Sequence, residues 1–323
     1  MSDTKYAYAV ARIRALENGL FSSAQIEQLL SVKATRGAAF PDRTRLGDAD
    51  TPLSAEAILT REKAKSWETV RDLLKGDDAI LAVLSYGDLY HNLKAAIKDA
   101  AAPGSHGNVY FDDCEVDGAR MSKIVAEKDW QALPAHMREA AKEASETFLH
   151  TGDGQLCDII VDRSALAAIY ECGKNASDAI IRDYAETTVA VADIKIAVRS
   201  QKTGKHLDFM RRAMAPCDSL NIERLSQAAL GGVGAICEYL EGTRYGGGAQ
   251  ALKESPSAFE RWCDNQLIET IKPQKYNPFT AGPLVAYILA KENEIKTVRI
   301  ILTARLNGLE EEQIRERIRE MYV

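Results

Sequence analysis

The sequence contains no CxxC pair, no GxxxxGKS/T phosphate loop, no HExxH and no long run of lysine and arginine. Each absence removes a class of function. Without the phosphate loop a Walker-type nucleotide site has no support, because that site needs a glycine-rich turn whose amides cradle phosphate. Glycines cluster in LGGVGAICEYLEG and RYGGGAQ, but neither run follows a strand, as a dinucleotide fingerprint requires, so turns or close helix packing are expected there. The five histidines, His91, His106, His136, His150 and His206, are dispersed and have no zinc spacing. With 47 acids against 41 bases the net charge is −6, which lacks the basic footprint of a nucleic-acid binder. Six cysteines without motif spacing fit a cytosolic protein with reduced, mostly buried thiols, and MSDTKYAYAV does not look like a secretory leader. The longest apolar stretches, Leu225 to Cys237 and Tyr276 to Ala290, are too short to span a bilayer, and the second is interrupted by Pro278, Gly282 and Pro283.

Helix signals dominate what is present, and alternating strand patterns are scarce, so the fold is expected to be all-α. Tyr6, Ala9, Val10, Ile13 and Leu16 form one apolar stripe that Asn18-Gly19 stops. Ser22 and Gln25 have capping-box spacing, with Phe21 placed to staple against Ile26. A further helix is expected from Thr51-Pro52 toward Lys75-Gly76. Pro283 opens a helix carrying Leu284, Ile288, Ile295, Val298, Leu302 and Leu306, closed by Asn307-Gly308. LEEEQIRERIREMYV reads as a last helix, acidic first and basic later.

An acid or Asn, then Leu or Ile, then Lys occurs three times, as Asn92-Leu93-Lys94, Asp193-Ile194-Lys195 and Glu294-Ile295-Lys296. Successive copies stand 101 positions apart, a regularity that chance seldom gives. Asp158 and Asp162 set against Glu260 and Asp264 give a second trace, slipped by one residue. The repeat has the size of a domain, which implies three helical repeats at 1–107, 108–215 and 216–323. The first boundary falls in AAPGSHGN and the second near Ala215-Pro216. Residues two apart on a helix do not face each other, so Asn92, Asp193 and Glu294 should not pair with Lys94, Lys195 and Lys296. Two roles are open for these lysines. Each either lays its stem over apolar surface with a wet amine, or, with its acid, ties equivalent helices across domain joints.

One segment invites a metal reading. In FDDCEVDG, Asp113, Glu115, Asp117 and Gly118 match four positions of a calcium loop, but the closing bidentate position is Ile124. The DDxxD alternative fails because the fifth residue is Val116, so a solvated turn is expected and neither a metal nor a cofactor. Tyr6, Tyr8, Trp67, Trp130 and Trp262 are expected in core or joint packing.

YAYAVARIRALENGLFS, DLYHNLKAAIK, VADIKIAVRSQ, AFERWCDNQL and the closing LVAYILAKENEIKTVRIILTARLNGLEEEQIRERIREMYV, in this order, resemble the C subunit of the V-type (A-type) ATPases, equivalent to the d subunit of the eukaryotic enzyme. The last forty residues are the most specific, and the departures lie mainly between motifs, as in the 103–120 connector. The resemblance implies three similar helical domains in a pseudo-threefold funnel and a non-catalytic rotor role in proton or sodium transport. It also implies two partners, the central-stalk subunits and the polar loops of the membrane rotor ring, and a peripheral place on the cytoplasmic side. The other classes open to the sequence are an unrelated helical scaffold and a magnesium enzyme using Asp112, Asp113, Glu115 and Asp117.

Overall fold

A computed structural model describes residues 5–31, 55–101, 110–111 and 113–323. Among them every regular element is helical. The α-helices are α1 (Ala7–Glu17), α2 (Ser23–Ser31), α3 (Ala55–Leu74), α4 (Tyr86–Ala101), α5 (Gly118–Glu127), α6 (Arg138–Thr151), α7 (Gly154–Lys174), α8 (Ala179–Lys202), α9 (Leu207–Ala213), α10 (Ile222–Leu230), α11 (Val233–Glu241), α12 (Gly246–Glu254), α13 (Pro256–Ile271), α14 (Gly282–Leu306) and α15 (Glu311–Arg315). None of the described helices is long and apolar enough to cross a membrane.

Local chemistry sets most of the helix ends. The Ser22–Gln25 capping box forms in both directions: Ser22 N–H donates to Gln25 Oε1 at 2.8 Å, and Gln25 N–H donates to Ser22 Oγ at 3.4 Å. Two of the amides orphaned at the first turn of α2 therefore find acceptors. Phe21 and Ile26 lie in one buried cluster, as a staple requires. Pro283 stands in the first turn of α14, and Asn307 caps its end before Gly308, whose φ of +71° is the left-handed conformation glycine adopts without strain. Residues 51–54 and the first expected boundary, 102–108, lie outside the described residues; the helix expected from Thr51-Pro52 is seen from Ala55. The glycine run before α13 serves close packing. A Cβ on Gly247 or Gly248 would stand 2.9 and 2.8 Å from the Trp262 ring, so only glycine lets α12 lie on that indole.

Contacts divide the chain into two compact units. The first comprises Met1–Ala79, Ser177–Ile180 and Gly247–Val323, and the second Ile80–Ala176 and Ile181–Gly246. In the first unit α14 is the axis, with α1, α3 and α13 against it and α2 and α15 packed together at its end. Its core joins Phe21, Ile26, Ile58, Leu59, Ile295, Val298, Ile301, Ile314 and Met321. In the second unit α4 packs on α5 and α7, α6 packs on α7, and α9 touches both α7 and α10. Leu89, Leu93, Ile97, Met121, Ile124, Met137 and Val161 are buried together there. The positions 107/108 and 215/216 that separate the sequence repeats both fall inside the second unit. A division by sequence likeness and one by contacts need not coincide where a helix packs mainly on the following repeat, as α4 does on α5 and α7.

Three expectations are corrected. The last helix ends at Arg315, and 316–323 leaves helical geometry. That lets Met321 and Tyr322 reach the core at 5 % and 2 % exposure. Arg319 meanwhile bonds Asp264, and Glu320 N–H donates to Asn265. Burying such side chains is worth roughly 1.5–3 kcal/mol each. Helix propensity forgone is worth at most about 0.7 kcal/mol per residue. Burial therefore wins. Tyr8 is 64 % exposed, with Lys75 over its ring, and is not a core residue. Leu306 is 88 % exposed at the tip of α14, off the apolar stripe assigned to it.

Candidate functional site

The three repeat tripeptides lie on three helices, α4, α8 and α14, and in each the first residue is fully or almost fully buried. A polar group taken out of water needs a partner, and each finds one on a main chain outside its own helix.

On α4, Asn92 has 0 % exposure and exchanges two hydrogen bonds with one residue. Phe111 N–H donates to Asn92 Oδ1 at 2.9 Å, and Asn92 Nδ2 donates to Phe111 O at 2.8 Å. A carboxamide suits this task because it carries donor and acceptor side by side. The clamp holds the approach to α5, whose first turn is capped by Asp117, accepting from Arg120 N–H at 2.9 Å. Lys94 reaches a different element, placing Nζ 2.6 Å from Asp162 on α7. One turn on, Lys98 Nζ is 2.6 Å from Asp158 Oδ1, an ion-pair contact off the hydrogen-bonding direction.

On α8, Asp193 also has 0 % exposure, and Ala215 N–H donates to its Oδ1 at 3.1 Å. Its Oδ2 meets no partner. Burial, with a smaller push from Glu186, drives its pKa up to about 8 against the pull of the Ala215 amide and Arg163. Glu186, two turns earlier, accepts from the amides of Asp218 at 3.0 Å and Ser219 at 2.8 Å, and from the Ser219 hydroxyl. Arg163 Nε donates to Met214 O at 3.1 Å. The connector between α9 and α10 is thus fastened by side chains of α7 and α8. Lys195 lies half-buried on α8.

On α14, Glu294 is 1 % exposed and accepts from Phe21 N–H through Oε2 and from Lys291 Nζ through Oε1, the latter at 2.7 Å. Lys291 Nζ also stands 3.6 Å from Glu62 on α3. Burial lowers the Lys291 pKa, but Glu294 and Glu62 outweigh it and the net direction is up. Burial raises that of Glu294 against Lys291 and the Phe21 amide. Lys296 points elsewhere, 2.7 Å from Asp264 on α13, which Arg319 also grips at 2.7 Å. Close by, Arg14 forks onto Glu17 at 2.7 and 2.8 Å, and the Tyr322 hydroxyl donates to Glu17 at 3.3 Å.

In the first and third tripeptides the first residue and the lysine therefore serve different neighbours. Their partners Phe111, Phe21, Lys291 and Glu62 were not visible as a set in the sequence, since nothing local marks them. No group of three or more His, Cys, Asp or Glu able to hold a metal occurs among the described residues, and Asp112 lies outside them. These arrangements fasten main chain to helix. The donors named in them are already engaged.

A family model described as ATP synthase (C/AC39) subunit matches residues 9–317. The chain is similar to the C subunit of the V-type sodium ATPase of Enterococcus hirae, 20 % identical over 83 % of this chain and 82 % of the relative. It is also similar to the C subunit of the A-type ATP synthase of Methanothermobacter thermautotrophicus, 24 % identical over 96 % and 87 %. With the C subunit of the V-type ATP synthase of Thermus thermophilus it shares 25 % identity over 97 % and 98 %. The match runs over nearly the whole chain: the chain belongs to the ATP synthase (C/AC39) subunit family, a structural and not a catalytic component of V/A-type ATPases.

Proposed function

We propose that this chain is the coupling socket of a rotary V/A-type ATPase. Three similar helical domains, 1–107, 108–215 and 216–323, stand about a pseudo-threefold axis as a funnel. The funnel receives the central-stalk subunits, and its other face rests on the polar loops of the membrane rotor ring, so that all turn together during proton or sodium transport. The protein sits peripherally on the cytoplasmic side. The observation that carries this is the succession of buried acceptors. Asn92 of the first repeat clamps Phe111 at the opening of the second, Asp193 of the second holds Ala215, the last residue before the third begins, and Glu294 of the third reaches back to Phe21 of the first. Units joined head to tail in this way close on themselves when each step turns by a third of a circle. The helix packing supports the same order: α4 lies on α7 of the second repeat, and α14 lies on α3 of the first. Lys98 with Asp158 and Arg299 with Glu56 are ion pairs at matching joints. A body that transmits torque needs such stiff joints and no reaction chemistry.

The test is a complex assembled with and without this protein. With it, ATP hydrolysis and ion transport are expected to stay coupled and the chain to be captured by stalk and ring components. A complex that pumps fully without it would overturn the socket role.

A further inference from the structure

The connector 214–219 is tied down by more side chains than its length requires, and one of them is chemically odd. Arg163 holds Met214 O, Glu186 holds the amides of Asp218 and Ser219, the Tyr170 hydroxyl donates to Asp218 at 2.7 Å, and the Tyr245 hydroxyl lies 3.0 Å from Ser219 Oγ. Between these anchors the Ala215 amide rests on Asp193 alone, a carboxyl with 0 % exposure whose second oxygen has no partner. Arg163 is the nearby cation, and its Nε is committed to Met214 O. The other ionisable groups facing Asp193 are Glu186 on its own helix and Cys217 in the connector, and Asp218 and Tyr170 stand further along the same segment. A charged Asp193 would therefore be an isolated anion in a dry site beside a second carboxylate, which is costly. At the matching place in the sequence, Asn92 performs the same backbone clamp with a group that cannot ionise. An amide would suffice for a permanent fastening, and what the acid adds is titratability.

We propose that Asp193 works as a proton-operated latch: as a neutral carboxylic acid it holds the 214–219 connector on α8, and ionisation lets that connector go. The latch rests on this side-chain geometry and stands independently of the rotary role.

The sign follows from linkage. With the connector closed, Asp193 titrates near 8; once opening admits water, it returns to its ordinary value of 3.8. Opening therefore releases a proton, and between these values each pH unit favours the open state by up to about tenfold. The closed state is most favoured below the lower value and has lost that advantage above the higher one.

Hydrogen–deuterium exchange of the full chain, resolved to the Ala215 and Phe111 amides and corrected for intrinsic rates, tests this. In the unaltered protein, protection at Ala215 is expected to fall toward tenfold per pH unit and level off above about pH 8, while Phe111, on Asn92, stays flat. Asp193→Asn is expected to flatten the Ala215 profile, and Glu186→Gln to leave its slope in place. A flat profile in the unaltered protein would overturn the latch, and needs no variant to be seen. So would a slope that survives Asp193→Asn, or one that Glu186→Gln abolishes.

Discussion

Asn92 and Glu294 occupy matching places in the sequence repeat and do the same job, accepting a main-chain N–H inside a core, but with opposite electrostatics. Asn92 is neutral and satisfied by main chain alone, exchanging two bonds with Phe111 and donating a longer one, 3.5 Å, to Val116 O. Glu294 is one end of a buried chain of charges through Lys291 to Glu62. What the position demands is a buried acceptor; how its charge is managed is left to the neighbours. The neutral solution needs nothing else, whereas the charged one recruits α3 and so ties two helices at once, at the risk of a stranded charge if any member is lost.

The largest effect should come from breaking the charged clamp. Lys291→Met leaves Glu294 and Glu62 without their buried cation and is expected to cost about 3–5 kcal/mol, read from denaturant unfolding. Asn92→Ala should cost less, about 2–3 kcal/mol by the same measurement, since Phe111 would lose both its bonds to the carboxamide but no charge would be stranded. If Asn92→Ala proves the more damaging, the two clamps differ in some way other than charge. Asn92→Asp converts the neutral clamp into a titratable one. A buried acid there would have a raised pKa, so its stability should decline as pH climbs from about 4 toward the raised value, a slope that Asn92 itself lacks. Smallest of all should be Lys296→Ala. With its side chain 49 % exposed and Arg319 still on Asp264, the loss is expected within about 1 kcal/mol.

Features written in neighbouring residues could be read from the sequence. The Ser22–Gln25 box, the proline start of α14 and its Asn307-Gly308 stop all rest on contacts within a few positions. The repeat marked Asn92, Asp193 and Glu294, and all three proved buried. Their partners were hidden because they stand 19, 22 and 273 positions away, where no local rule reaches. The same limit explains the shortened last helix. Its charge pattern favours a helix through to the end, but Asp264, Asn265, Glu17 and the core claim Arg319, Glu320 and Tyr322. Asp117, which resembled a metal ligand in FDDCEVDG, turned out to be a helix cap, a role the same spacing permits.

The first compact unit is assembled from residues up to Ala79 and residues from Gly247 onward, with α14 of the later segment as its axis. On the ribosome its early helices must therefore wait, apolar faces uncovered, while most of the intervening chain is made. The Ile80–Gly246 portion has its own helices in hand and is free to collapse first. A nascent chain stalled before α14 emerges would consequently carry α1 to α3 unsheltered, and these are the segments a chaperone would be found holding.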